Sequence, residues 1–143
     1  MYDRLAQFYE WEHLHFQDDL PLYFGFAKAV DGAILDAACG TGRVALPLAE
    51  AGFSITGVGS SPEMLSIARS KAANSRHGST VSFVQSDLRA MDLGRQYGMA
   101  FVALSSFQHM LTVHDQRQSL KRIHAHLKEC GLLVMDLVNP SPE

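Results

Sequence analysis

The chain has 143 residues, of which 47% are apolar and 19% are charged, and its formal net charge at pH 7 is −3. This length and composition are typical of one soluble globular domain with a sizeable core. The chain has no basic block, which argues against a nucleic-acid partner. Its apolar runs fall short of the roughly 18 residues of a membrane span, which argues against a membrane protein.

The cysteines and the N-terminus both favour the cytoplasm. Cys39 and Cys130 show no metal-ligand spacing, and two thiols without a disulfide framework suit a reducing compartment. Residues 1–5 lack the charged-then-apolar form of a signal peptide. We therefore expect a cytoplasmic protein without a bound metal.

Helical and extended patterns alternate along the chain. Predicted helices begin near residues 2, 18, 43, 60 and 115. Predicted strands span residues 33–38, 53–58, 80–85, 99–104 and 132–138. The clearest helix start is Ser60-Ser61-Pro62-Glu63, which offers a serine cap, an early proline and an acid in the first turn. Alternating strands and helices predict an α/β fold with a parallel sheet.

The turn after the first strand is the most informative segment. Gly40 and Gly42 follow an apolar run directly, and a helix follows them. Ligands of open α/β sheets lie outside the carboxyl ends of the strands, and glycine lets a ligand approach bare backbone. The sequence therefore predicts a nucleotide-like ligand here. We expect one domain over residues 1–143, with an N-terminal helical segment (1–32) and a Rossmann-like core (33–143).

Five segments, in this order and at this spacing, resemble the class I S-adenosylmethionine-dependent methyltransferases of the small-molecule type. They are residues 35–42, 55–65, 81–87, 101–109 and 127–136. The resemblance implies a doubly wound parallel sheet in the order 3-2-1-4-5, with helices on both faces and an N-terminal helical lid. It also implies S-adenosyl-L-methionine as the cofactor and a small molecule as the methyl acceptor.

The resemblance also implies which residues contact the cofactor. The loop from Asp36 to Gly42 would hold its methionine part, and Asp87 would accept a hydrogen bond from the adenine amino group. Leu104 and Ser105 would form the floor under the sulfonium, and Tyr2 and Tyr9 would act as a lid. The implied cofactor-binding residues are Asp36, Ala38, Cys39, Gly40, Gly42, Gly59, Ser60, Ser61, Met64, Asp87, Leu88, Leu104, Ser105 and Tyr9. The candidate catalytic base is His109, should the acceptor need to lose a proton.

This chain departs from the family pattern at several positions. Gly59 stands where the family has an acid that binds both ribose hydroxyls, so two charge-assisted hydrogen bonds of roughly 1.5–3 kcal/mol each are missing. Gly98 replaces an aspartate before the fourth strand, and Cys130 replaces a turn glycine. Strands six and seven of the family are absent. We expect the bare edge of the fifth strand to be covered by a missing C-terminal segment, by a second copy in a homodimer, or by the N-terminal helices.

Other interpretations compete with the cofactor site. The glycines could form a plain turn, Asp87 a surface cap, and His109 a packing residue. His13 with His15, and His124 with His126, are expected to be solvated rather than metal-binding, because residues two apart do not share a helix face.

Two other functions remain open. The pattern Gly40-x-Gly42-x-x-Ala45 fits a loose dinucleotide fingerprint, but the acid required about 20 residues later falls near Gly59. An NAD-dependent oxidoreductase is therefore less favoured. A degenerate, non-catalytic module or partner subunit is the third possibility, and Gly59 and the short chain support it.

Overall fold

The computed structural model describes the backbone of residues 2–139 and 141 and the side chains from Arg4 onward within that range. The helices are α1 (Ala6–His13), α2 (Leu20–Ala27), α3 (Ala45–Glu50), α4 (Pro62–Ala73) and α5 (Val113–Ala125). The strands are β1 (Ile34–Ala37), β2 (Ile55–Gly59), β3 (Val81–Gln85), β4 (Tyr97–Val102) and β5 (Leu127–Met135). Short 3-10 helices span Tyr2–Leu5, Gly78–Thr80 and Ser106–His109.

The five strands form one parallel sheet in the order β3-β2-β1-β4-β5. The central strand β1 pairs with β2 and β4 through Ile34, which lies opposite Ile55 on one side and Met99 on the other. The predicted fold class and strand order are therefore confirmed.

Side chains of the central strands alternate between two cores, one on each face of the sheet. Ile34, Met99 and Phe101 pack with Tyr23 of α2 and with α3 on one face. Leu35, Ala100 and Val102 pack with Ile123 of α5 on the other. Strands buried on both faces read as continuous apolar runs, as residues 99–102 of β4 do.

The element boundaries differ most around β5. The sequence predicted a strand from Leu132, whereas the structure begins it at Leu127, which lies opposite Tyr97. The register shifts before Met99, which lies opposite Leu132, and the extra residues form an irregular turn. In that turn Cys130 has φ +61°, a left-handed conformation that glycine adopts at lower cost. The sequence pattern does not indicate the pairing of Leu127 with Tyr97, because the irregular turn separates it from the rest of the strand.

His126 corrects the expectation of a solvated side chain. It is 4% exposed, its Nδ1 lies 2.6 Å from the Arg122 carbonyl oxygen, and its Nε2 accepts a hydrogen bond from the Leu93 N–H at 3.0 Å. Because α5 ends just before it, the ring turns inward and ties the helix end to the loop before β4. This contact depends on tertiary structure and has no local sequence signal.

The edge of β5 pairs with no further strand among residues 2–139. Helix α1 packs against α4, which in turn packs against β3 at the opposite edge of the sheet. Helix α1 is therefore not the cover that was considered for β5. In the same part of the chain, no helix combines the length and the apolar character needed to cross a bilayer.

Gly98 offers a test of how tightly the start of β4 is packed. A Cβ at Gly98 would lie 2.0 Å from the carbonyl oxygen of Asp31, whereas a Cβ at Gly25 in α2 meets nothing within 4 Å. Gly98→Ala is therefore expected to destabilise the protein by about 3 kcal/mol, through a clash with backbone. Gly25→Ala should be neutral or stabilise it by about 0.5–1 kcal/mol, because alanine favours helix. Urea denaturation of both variants checks this, and equal midpoints would contradict the packing described.

Candidate functional site

A cleft of about 780 Å³ lies beyond the carboxyl ends of the strands. Its wall comes from the turn after β1, the end of β2, the start of α4 and the segments after β3 and β4, with α1 opposite. The predicted residues on its surface are Tyr9, Ala38, Gly40, Gly59, Ser60, Ser61, Met64, Asp87, Leu88, Leu104 and His109. Residues from these six segments therefore meet in one place.

Four predicted residues are not on the cleft surface. Asp36 and Cys39 are buried behind it, at 1% and 7% exposure. A Cβ at Gly42 would face Phe83 and Leu46 in the core, and the Ser105 N–H donates to the carboxylate of Asp136, just after β5. These residues can shape the site but do not form its wall. The side chain of Tyr2 lies outside the described residues, so its expected lid role has no structural counterpart here.

The turn after β1 presents bare backbone to the cleft. Gly40 has φ +53°, and a Cβ built on it would lie 3.7 Å from Tyr9 Cε1 and 3.8 Å from Met64 Sδ, both cleft side chains. A side chain at Gly40 would therefore enter the space between Tyr9 and Met64. The turn is held to β2 because the N–H groups of Ala38 and Cys39 both donate to the Val58 carbonyl oxygen, at 2.9 and 2.8 Å. We call the turn from Ala38 to Gly40 the Gly40 cradle. Its bare backbone leaves room for the close approach of the expected cofactor.

Asp36 lies under the turn with Oδ1 lacking a hydrogen-bond partner among the described residues. Burial raises the pKa of its carboxyl to about 8, and the nearby Arg43 guanidinium opposes that rise. Arg43 is itself held by Asp19 through a bidentate ion pair with both N–O distances at 2.7 Å. This pair fastens the start of α2 to the residues that open α3. The helix that carries Tyr9 is anchored beside the cleft by a second ion pair, between Glu10 of α1 and Lys71 of α4, at 2.7 Å.

The N-terminus of α4 also faces the cleft. Ser61 is its cap, because the Ser61 side chain accepts a hydrogen bond from the Met64 N–H at 3.2 Å, and Pro62 follows as the first helical residue. The Ser60–Glu63 pattern had predicted this start. The helix dipole favours electron-rich groups at this end.

Asp87 follows β3 and is paired with Arg89, a residue that sequence reasoning missed. Asp87 Oδ1 accepts from the Arg89 N–H at 2.8 Å, and Oδ2 lies 2.5 Å from Arg89 Nη2. This pairing lowers the pKa of the Asp87 carboxyl. Arg89 also reaches Asp115 in the first turn of α5, at 3.1 Å. An arginine two residues after an aspartate in a loop carries no periodic signal, so only the folded chain reveals this link.

The turn after β4 carries a second feature that the sequence did not reveal. Leu104 and Ser105 have φ +51° and +54°, a region that costs about 1–3 kcal/mol for each residue with a side chain. Asp136, just after β5, accepts hydrogen bonds from both of their N–H groups. Asp136 also accepts from the buried hydroxyl of Tyr23. The sequence signal that could have indicated this role of Asp136 is its position directly after β5, because the carboxyl ends of β4 and β5 lie side by side.

Comparison with known proteins shows the family to which this chain belongs. The family described as "Methyltransferase domain" matches residues 34–131. The chain is 36% identical over 107 residues to YqeM of Bacillus subtilis (strain 168), provisionally named a methyltransferase; the match covers 74% of this chain and 42% of that protein. It is 33% identical over 133 residues to a glycine/sarcosine/dimethylglycine N-methyltransferase of Actinopolyspora halophila, covering 92% and 22% of the two chains.

Solved structures give the same result. The CcbJ methyltransferase of Streptomyces caelestis superimposes with a TM-score of 0.73 at 32% identity, over 80% of this chain and 46% of that one. The glycopeptide N-methyltransferase MtfA, solved with S-adenosyl-L-methionine, gives 0.74 at 25% identity, over 84% and 55%. The chain therefore belongs to the class I S-adenosylmethionine-dependent methyltransferases, as the sequence motifs indicated. It spans from about a fifth to just over half of the length of these four proteins.

The raised pKa of Asp36 predicts a particular pH dependence. In the unfolded chain Asp36 releases its proton near pH 4, whereas in the folded chain it retains it until about pH 8. The folded state therefore binds more protons between these values, and Asp36's contribution to stability is lost as pH rises, by up to about 1.4 kcal/mol per pH unit. Asp36→Asn does not titrate, so its stability relative to wild type should increase from pH 5 to pH 7.5.

Urea denaturation at both pH values measures this difference. Asp92→Asn is the matched control, because Asp92 is exposed on the loop before β4 and should follow wild type. If Asp36→Asn also follows wild type at both pH values, Asp36 is ionised in the folded chain and the description is wrong.

Proposed function

We propose that this chain binds S-adenosyl-L-methionine in the cleft and forms the cofactor-binding part of a methyltransferase that acts on a small-molecule amine. The observation that carries the proposal is the Gly40 cradle. A bare, left-handed backbone segment faces a cleft between Tyr9 and Met64, where any side chain on residue 40 would intrude. Family membership supports the choice of cofactor.

Different residues of the cleft would contact different parts of the cofactor. The turn from Ala38 to Gly40 would receive the methionine part, with Asp36 orienting the turn from behind. Ser60, Ser61 and Met64 would border the ribose and adenine. Asp87, kept anionic by Arg89, would accept a hydrogen bond from the adenine amino group, beside the Leu88 backbone. Tyr9 would cover the bound molecule from α1.

Bound S-adenosyl-L-methionine supplies a methyl group already activated on a sulfonium. The protein therefore needs chiefly to align the acceptor with that methyl group and to exclude water. Tyr9, Leu104 and Met110 give that part of the cleft an apolar wall. His109 lies on the same wall and is the group placed to take a proton from the acceptor.

An amine is the favoured acceptor class because two of the similar proteins described above are named as N-methyltransferases. A neutral amine is nucleophilic without deprotonation, so an obligatory base is unnecessary. This suits a cleft whose acceptor end, around Leu104 and Met110, is largely apolar. We place the reaction in the cytoplasm, consistent with the two free thiols of Cys39 and Cys130. We treat residues 1–143 as one domain, with a second copy or a further segment along the edge of β5.

Gly59 favours one alternative, a degenerate module that keeps the fold but binds the cofactor weakly. It lines the cleft at the end of β2, where the family pattern places the ribose-binding acid. The two functions predict different cofactor affinities, so a direct binding measurement separates them.

Calorimetric titration of the purified chain is expected to show binding of S-adenosyl-L-methionine and its demethylated product, and no binding of NAD. Membership of a family with solved complexes of S-adenosyl-L-methionine favours the first two ligands. The missing acid at Gly59 weakens ribose binding for all three ligands, and NAD has no such family support. Heat from NAD alone would indicate an oxidoreductase, and no heat from any of the three would favour the degenerate module.

Gly59→Asp should tighten binding of S-adenosyl-L-homocysteine about tenfold or more. The new carboxylate would offer charge-assisted hydrogen bonds to the ribose hydroxyls. A Cβ at this position lies 3.3 Å from Leu65 Cδ2, the end of a flexible side chain, so the substitution needs only a small shift. Gly59→Asn is the matched control: it has nearly the same shape without the charge and should gain less. Affinities for Gly59→Asp that equal wild type would place the ribose elsewhere.

A further inference from the structure

The floor of the cleft is a strained turn spanning Ala103–Ser106. The Ser106 N–H donates to the Ala103 carbonyl oxygen at 3.2 Å, and the two central residues, Leu104 and Ser105, are both left-handed. Turns of this kind ordinarily carry glycine, asparagine or aspartate at their central positions. Leucine and serine hold this conformation only when surrounding groups impose it.

Asp136 is the group that imposes it. Its Oδ2 accepts a hydrogen bond from the Leu104 N–H at 2.8 Å, and its Oδ1 accepts one from the Ser105 N–H at 2.5 Å. One carboxylate thus binds two successive N–H groups, which can converge on it because both residues are left-handed. Bonds to a charged acceptor are about twice as strong as neutral ones.

Tyr23 fixes the carboxylate in turn. Its hydroxyl donates to Asp136 Oδ2 at 3.0 Å, and its ring is fully buried against Phe101, with centroids 4.8 Å apart. Burial and the neighbouring Asp136 raise the pKa of the Tyr23 hydroxyl, so it remains a donor at physiological pH. The network thereby joins α2, the end of β5 and the turn after β4.

We propose that Asp136, held by Tyr23, is a positioning residue that sets the shape of the cleft floor at the end where methyl transfer takes place. Asp136 does not line the cleft; it acts through Leu104, which does. The inference rests on the proposed function for the identity of the bound molecule, but not for the geometry of the turn.

A glycine substitution at position 105 distinguishes a positioning role of Asp136 from direct ligand contact and from general stabilisation of the fold. If Asp136 acts by holding a left-handed backbone, Ser105→Gly should offset its loss, since glycine adopts that conformation without strain. If Asp136 instead contacted a ligand, or merely stabilised the fold, glycine at position 105 would restore nothing. Ser105 is suited to this test because its side chain is not on the cleft surface.

The experiment compares wild type with Asp136→Ala, Asp136→Ala/Ser105→Gly and Tyr23→Phe. Asp92→Ala is the control, an exposed aspartate on the loop before β4. Two quantities are measured: hydrogen exchange of the Leu104 and Ser105 amides in the ligand-free protein, and calorimetric affinity for S-adenosyl-L-homocysteine. Circular dichroism verifies that each variant folds.

Asp136→Ala should speed exchange of both amides and weaken binding, each by about tenfold or more, because charge-assisted bonds are lost. The double variant should recover affinity to within about threefold of wild type. Tyr23→Phe should show smaller changes, about two- to fivefold, because a single hydrogen bond is lost.

Exchange and affinity within about twofold of wild type in Asp136→Ala would overturn the proposal, as would a folded double variant without recovery. If wild type binds no S-adenosyl-L-homocysteine, the proposed function fails, while the exchange measurement still decides whether Asp136 holds the turn. If Asp136→Ala does not fold, Tyr23→Phe decides it, and unchanged amide exchange in that variant would overturn the proposal.

Discussion

The parallel pairing of the five strands determines where the residues of the cleft lie. Parallel strands bring their carboxyl ends to one edge of the sheet, so residues far apart in sequence become neighbours there. The turn after β1, the start of α4, Asp87 and Leu104 share one cleft for this reason. Bare backbone at Gly40 then leaves room for a ligand at this edge, and the ion pairs of Arg43 with Asp19 and of Lys71 with Glu10 hold the N-terminal segment beside it.

Three aspartates in strands or just beyond their ends differ in burial and in hydrogen-bond partners, and these differences give them different roles. Asp36 in β1 is buried, and its pKa is raised by burial. Asp87 beyond β3 is partly exposed and paired with Arg89, which lowers its pKa. Asp136 beyond β5 accepts backbone N–H groups from Leu104 and Ser105. The first is buried behind the cleft, the second lines the cleft, and the third binds the backbone of the turn at the cleft floor.

The parts of the structure that could be predicted from the sequence are those with local or periodic signals. Apolar strands, the Ser61 cap and the glycine turn predicted the alternating elements and a ligand at the glycine turn. The family resemblance supplied the correct strand order and most of the residues that line the cleft. The early start of β5 was missed because an irregular turn at Cys130 interrupts its pairing. The inward turn of His126, the contact of Arg89 with Asp115 and the contacts of Asp136 were missed because each partner lies in another element of the fold.

The central claim is that an adenosine-containing cofactor lies across the ends of β1, β2 and β3, over bare backbone at Gly40. The most direct test is a crystal structure of the chain soaked with S-adenosyl-L-homocysteine. Electron density for the ligand is expected between Tyr9 and Met64, with the adenine amino group at Asp87. Density in another place, or a cleft that stays empty at saturating ligand, would contradict it.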